Sequence, residues 1–447
     1  MSMSTRLTIS AAAAALLLAP SFLPSAAPFG ATATVFAQGW YDPYRPGYHH
    51  RKVRHARPVP RDDATPLAAG EKKAAPAAAS NDQQPPPRVP FTAAEDAAAA
   101  IPGIPDARFW ADSATDYINA LPAQPGPWLV FSSGGGDGAF GAGLLVGLGA
   151  AGNRPEYSVV TGVSTGALMA PFVFAGPRYD DTLRDNYTKL SAADVFEAGR
   201  TSESFVDSWP LKETIAKEIT PALLDAIAAE HRRGRRLFIA TFDLDAERPV
   251  IWNMGAIAAH GGEDGLALFR TVLLASTAVP GAFPPVLIDV EANGKHFAEM
   301  HVDGGIGGQF FVAPGPLLLP TSNFRLPATQ LYVVINTGLE RDFQVVDRFL
   351  PTILTQAVSA AVKIDTRLMV DIAYTLAKRS GVGFNAAWIP ASFNAPSKGP
   401  FDPGYMGPLF QTGYEQGRSA TPFSNELPPY PSGPPPQSSQ NEKSGVN

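Results

Sequence analysis

The run Tyr157-Ser158-Val159-Val160-Thr161-Gly162-Val163-Ser164-Thr165-Gly166 constrains this chain more than any other stretch. Its β-branched residues predict a strand, Gly-x-Ser-x-Gly follows at once, and the apolar segment Ala167 to Phe174 predicts a helix. A serine on so tight a strand-to-helix turn needs glycine neighbours. Side chains at Gly162 and Gly166 would collide with the turn and cover the hydroxyl. The start of the following helix also favours negative charge beside the serine. Such an element commits the chain to an α/β architecture with Ser164 presented at a strand end.

The rest of the chain supports that class. Apolar runs at Trp128 to Phe131, Leu237 to Phe242 and Leu331 to Ile335 alternate with longer helix-like segments. One helix is predicted to begin with Thr220 as N-cap and Pro221 at its first position. Another is predicted to carry Ile353, Ala357, Ala360, Ile364 and Leu368 on a single face. The basic knot Arg232, Arg233, Arg235 and Arg236 reads as a solvated helix end, with contact to lipid headgroups as the alternative.

A folded domain over 100–420 is expected between unstructured ends. Residues 1–37 read as a secretory signal, with Arg6, an apolar run from Leu7 to Leu18 and small residues up to Ala37. The run is too short to span a bilayer, and an uncleaved anchor is the alternative. Export to the periplasm or beyond follows. Residues 38–99 read as a disordered Pro/Ala-rich linker that includes a basic stretch from Arg45 to Arg61, and 421–447 as a disordered Pro/Ser-rich tail. A net charge of -6 argues against nucleic-acid binding. The absence of cysteine removes disulfides, thiol nucleophiles and cysteine metal sites.

Two further segments carry chemistry. Pro127 to Phe131 leads into Ser132-Ser133-Gly134-Gly135-Gly136-Asp137-Gly138-Ala139-Phe140-Gly141, where bare backbone amides at a helix start form a nest for an anion or an oxyanion. Gly136, Gly138 and Gly141 also fit the Gly-x-Gly-x-x-Gly dinucleotide fingerprint, but no acidic residue closes a following strand as that site requires. A purely structural glycine turn is the remaining alternative. The second segment, Phe297 to Gly305, is a strand-like run ending in Asp303-Gly304-Gly305, which by itself reads as a turn. None of the seven histidines follows Asp303, so the Ser-acid-His order is ruled out. The histidines before Ser164, namely His49, His50 and His55, lie in the linker, which removes the other common orders. His231, His260, His296 and His301 remain as bases in an unusual order.

Gly134-Gly135-Gly136, Gly162-Val163-Ser164-Thr165-Gly166 and Asp303-Gly304-Gly305, in this order, resemble the patatin-like phospholipase family. Ala275 to Val286 is similar to the family's segment before the aspartate strand. The resemblance implies a three-layer α/β/α domain with a central, mostly parallel sheet, and hydrolysis of lipid acyl esters through an acyl-serine. Ser164 would be the nucleophile and Asp303 its base. Gly134, Gly135, Gly136 and the amide of Thr165 would form the oxyanion hole, and Gly138, Gly141, Gly162, Gly166, Gly304 and Gly305 would be the motif glycines. No metal or cofactor is implied. The partners implied are a lipid or acyl-ester substrate and a transient membrane surface. Asp137 departs from the family, which commonly has a basic residue there; its carboxylate is expected to face solvent or bond to loop amides. A general carboxylesterase and a catalytically weak envelope-binding protein are the rival readings.

Overall fold

The computed structural model describes residues 85–199, 203–341 and 343–430. The signal segment, the basic stretch and the end of the tail lie outside these residues. Among the described residues nine strands share one sheet: β1 (Arg108–Trp110), β2 (Gly126–Phe131), β3 (Val159–Val163), β4 (Arg236–Asp243), β5 (Arg248–Asn253), β6 (Val286–Ala292), β7 (Lys295–Asp303), β8 (Ala328–Ile335) and β9 (Gly383–Trp388). Their order is β1-β5-β4-β3-β2-β8-β9, with β7 also paired to β4 and β6 paired to β7. The centre from β4 to β9 runs parallel, and the flank of β1, β5, β6 and β7 is antiparallel.

Alternation along the strands builds two apolar layers. Leu129, Phe131 and Val160 face one side, with α1 (Gly138–Ala150), α2 (Thr165–Ala175), α3 (Trp209–Glu218), α4 (Pro221–Arg232) and α5 (Gly262–Ser276). Trp128, Val130 and Val159 face the other, where Val370, Ala373, Leu376 and Ala377 of α6 (Leu350–Ser380) cover them. This is the mixed α/β fold with a parallel centre flanked by helices that the sequence predicts. The Thr220 cap also forms, accepting from the Leu223 amide beside Pro221.

Close backbone packing joins α1 to α7 (Pro403–Arg418) through glycines on both helices. A Cβ at Gly143 or Gly147 would overlap the carbonyls of Phe410 and Tyr414. Reciprocally, one at Gly413 or Gly417 would overlap those of Phe140 and Leu144. Backbone therefore lies on backbone, with no side chain between to adjust.

Two expectations are corrected. Order extends past both ends of 100–420: Arg88 pairs with Asp245, Thr92 caps a short helix at Ala93–Ala97, and Ser424 bridges to Ala386. The basic knot is not a loose solvated end. Arg235 donates to the carbonyls of Tyr157 and Phe174, Arg236 to that of Ala120, and Arg233 pairs with Glu156 and Glu230. The stripe Ile353, Ala357, Ala360, Ile364 and Leu368 does share one helix face, but that face of α6 points to solvent. The opposite face is the one that packs.

The glycine contact gives a direct test. Gly413→Val should cost about 1–3 kcal/mol or more in urea unfolding because backbone cannot retreat, whereas Gly407→Ala on the same helix, with open space around it, should be neutral or slightly stabilising.

Candidate active site

Strand register brings the two chemical residues together. Both β3 and β7 pair with the same edge of β4, one parallel and one antiparallel, and they meet end to end. Val163 pairs with Ala240 and Asp303 with Thr241, so Ser164 and Asp303 leave adjacent positions of one strand.

Ser164 has φ 55° and ψ -122°, a left-handed conformation that a non-glycine residue adopts only under constraint. The constraint is visible in its neighbours. Its amide donates to Ser276 Oγ at 3.1 Å, and Ser276 donates in turn to the Ala240 carbonyl at 2.7 Å. A Cβ at Gly162 would overlap the carbonyl of Gly166, and one at Gly166 would come within 2.7 Å of the Phe131 Cβ. The turn is thus held from β4 and closed by its own glycines.

Asp303 ends β7 with its amide bonded to the Ala278 carbonyl at 2.9 Å. Its Oδ1 accepts from the Gly305 amide at 2.7 Å. The other oxygen, Oδ2, is buried, and the Ser164 hydroxyl stands within hydrogen-bonding reach of the carboxyl group. Burial pushes the Asp303 carboxyl up to about 6, against the opposing pull of the Ser164 hydroxyl and the Gly305 amide. A carboxylate raised in this way is a stronger base than one in water.

The glycine loop closes the third side. Gly134, at φ 154°, has no room for a side chain against the Asn336 carbonyl, whereas Gly135 is open on its Cβ side. A short 3-10 turn at Gly135–Asp137 then enters α1. At Gly138 the starts of α1 and α2 touch, since a Cβ there would overlap Thr165 Oγ1. Two helix N-termini therefore converge beside Ser164, and both favour negative charge at that point. Gly141 abuts the Asn336 side chain, and Gly304 lies against the Ala240 carbonyl. These two serve packing.

Ser164, Thr165, Asp303, Gly134, Gly135, Gly136 and Gly305 border one cleft of about 1200 Å³. Away from the polar end its walls include Leu168, Phe172, Leu211, Ile215, Leu273 and Phe283. The chamber suits an extended apolar group whose reactive end reaches Ser164.

Residues 129–314 match the family model described as patatin-like phospholipase. The chain carries a patatin-like domain. The crystal structure of VipD from Legionella pneumophila is similar at 11% identity over 66% of this chain and 66% of that one, with a TM-score of 0.34. No curated protein matches.

Within the patatin-like domain Asp137 behaves differently from the sequence expectation. It is half-buried, and its Oδ1 accepts from the Tyr405 hydroxyl of α7 at 2.7 Å. The anchor comes from a residue 268 positions away. Sequence reading also missed Ser276, although the segment holding it stood out, because its role depends on a contact with β4. Asn336 was missed likewise: no sequence pattern marks it, yet its backbone N–H donates to Ser132 Oγ at 2.8 Å and its side-chain Nδ2 to the Ser132 carbonyl at 2.9 Å, which fixes the loop entrance.

The four described histidines lie outside the cleft lining. His301 is fully buried, with Nδ1 against Thr241 at 3.0 Å and Nε2 against Glu299 at 3.2 Å. Burial and nearby arginines lower His231 to about 4. Among the described residues, none of the four borders the cleft. Asp243, Glu299 and His301 lie close enough to share a metal ion, but Arg108 already grips both Glu299 oxygens.

Two measurements check this geometry. Because the folded pKa of Asp303 is raised, its ionisation costs stability: the stabilising share is full below the unfolded pKa and is lost as pH rises through about 6. On the reading that Asp303 is the base, log(kcat/KM) should rise with slope one and level off above about pH 6; a flat profile from pH 4 to 8 would remove that reading. Ser276→Ala leaves the buried Ser164 amide without its acceptor and should lower stability by about 1–3 kcal/mol together with kcat, read by urea unfolding and steady-state kinetics.

Proposed function

We propose that this protein is an exported serine acyl hydrolase that cleaves lipid acyl esters, in the manner of a phospholipase or lysophospholipase, through a Ser164–Asp303 dyad. Lipid acyl hydrolysis is the family-level activity that goes with the match. The observation that carries the finer reading is the meeting of Ser164 and Asp303 at one edge of β4, at the polar end of an otherwise apolar cleft.

The chemistry follows from the neighbours. Asp303 takes the Ser164 proton as Oγ attacks the ester carbonyl carbon, and the carbonyl electrons move onto oxygen. Amides of Gly134, Gly135, Gly136 and Thr165 receive that oxyanion, helped by the two helix starts. Collapse expels the alcohol, which takes the proton from Asp303 and leaves an acyl-serine. Water then attacks the acyl carbon, giving its proton to Asp303 and releasing the fatty acid and Ser164 in the reverse order. A dyad needs no imidazole where the carboxylate is already raised by burial.

One observation favours a second reading, a carboxylesterase for uncharged substrates. Asp137 places a carboxylate in the glycine loop, where it disfavours an anionic headgroup. Rates on a short soluble ester, a diacylglycerol and a phosphatidylglycerol separate the two.

The decisive test is labelling with a serine-reactive phosphonate. Wild type should label stoichiometrically, Ser164→Ala should not label at all, and Asp303→Asn should label and turn over slower by about a thousandfold or more. Undiminished labelling of Ser164→Ala would sink the assignment.

A further inference from the structure

A long helix with an apolar stripe on its wet side is unusual, and α6 has one. Leu350 is 66% exposed, Ile353 47%, Ile364 63%, Leu368 55% and Ile372 44%. With Ala357, Ala360 and Ala361, also exposed, they recur every three or four residues along one face. Packing does not need them, because Val370, Ala373, Leu376 and Ala377 on the other side already cover the sheet. The exposed patch continues off the helix start into Phe343, Val345 and Phe349, at 45%, 74% and 51%. A contiguous apolar surface of this extent marks a contact with something apolar.

We propose that this outward face of α6, with Phe343, Val345 and Phe349, docks the protein on a lipid surface. The inference rests on the reading that the cleft cleaves lipid acyl esters. Two observations select lipid over a second copy of the chain. The inward side of the same helix, at Thr355, Val358, Ser359 and Val362, lines the cleft that holds Ser164. A lipid touching the outer face therefore lies about one helix diameter, roughly 10 Å, from the route its acyl chain must take. The patch also spans a helix and the loop before it, with aromatic side chains and the exposed Asp347 and Arg348 among the apolar ones. That mixture suits a headgroup boundary, where rings sink and a cation stays with phosphates. A helix pair would present one narrow seam.

The test uses the full chain and the double variant Ile364→Glu, Leu368→Glu, which alters neither the cleft nor the dyad and keeps good helix formers on an exposed face. Wild type should co-sediment with vesicles of phosphatidylethanolamine and phosphatidylglycerol, and the variant should partition at least about tenfold more weakly. Hydrolysis of a short soluble ester should stay unchanged while hydrolysis of vesicle lipid falls in parallel with binding. As the chain has no cysteine, a single Leu368→Cys carrying an environment-sensitive fluorophore supplies a second readout, and its emission should shift to the blue on adding vesicles. Equal binding by wild type and variant, no binding by wild type, or an unshifted fluorophore would each overturn the proposal. A wild-type dimer that the variant dissolves, with no vesicle binding by either, would overturn it in favour of a second copy. Should wild type bind vesicles but cleave no ester, the hydrolase reading fails and the docking face stands.

Discussion

The structure depends on one edge of one strand. Along β4 the parallel neighbour β3 stops at Ala240 and the antiparallel neighbour β7 takes over at Thr241, so two chain segments more than a hundred residues apart finish at the same place. The Ala240 carbonyl at that junction accepts from Ser276, whose own oxygen holds the Ser164 amide. Gly304 presses on the same carbonyl from the β7 side. A single peptide thus fixes the turn that bears the serine and the turn that follows the aspartate.

Electrostatics separates residues that strand geometry treats alike. Glu299, His301 and Asp303 alternate onto one face of β7, and all are buried. Burial also pushes Glu299 up, but Arg108 and His301 outweigh it and hold its carboxyl below the usual range. Asp243, opposite His301, has no such cation and is pushed up to about 7 by burial and by the charge of Glu299. Asp303 has only a hydroxyl and an amide, and stays raised. The raised carboxyl at Asp303 thus comes from withholding a positive partner rather than from supplying one.

The parts of this that were legible in the sequence are the local ones. Gly162, Ser164 and Gly166 state their turn within five residues, and the flanking strand and helix formed where periodicity put them. Asp303 could not be read that way, since Asp-Gly alone describes any turn; order along the chain and family resemblance supplied it. Ser276, Asn336 and Tyr405 were invisible because each acts on a residue more than sixty positions away. The stripe on α6 shows a different limit. A period of three to four residues tells which side chains share a face, and nothing about what lies opposite that face.

The glycine contact between α1 and α7 has a mechanical consequence. The loop at Gly134–Gly136 leads into α1, and Phe401, Tyr405 and Met406 at the start of α7 border the same cleft. With carbonyls seated directly on α-carbons, the two helices have no slack and act as one stiff plate. The facing wall, α6, rests on the sheet only through its C-terminal half, while its first two turns bring few buried side chains. On the proposed reading, a bulky acyl chain would find its room on the α6 side of the cleft, because the loop at Gly134–Gly136 is held by the α1–α7 contact.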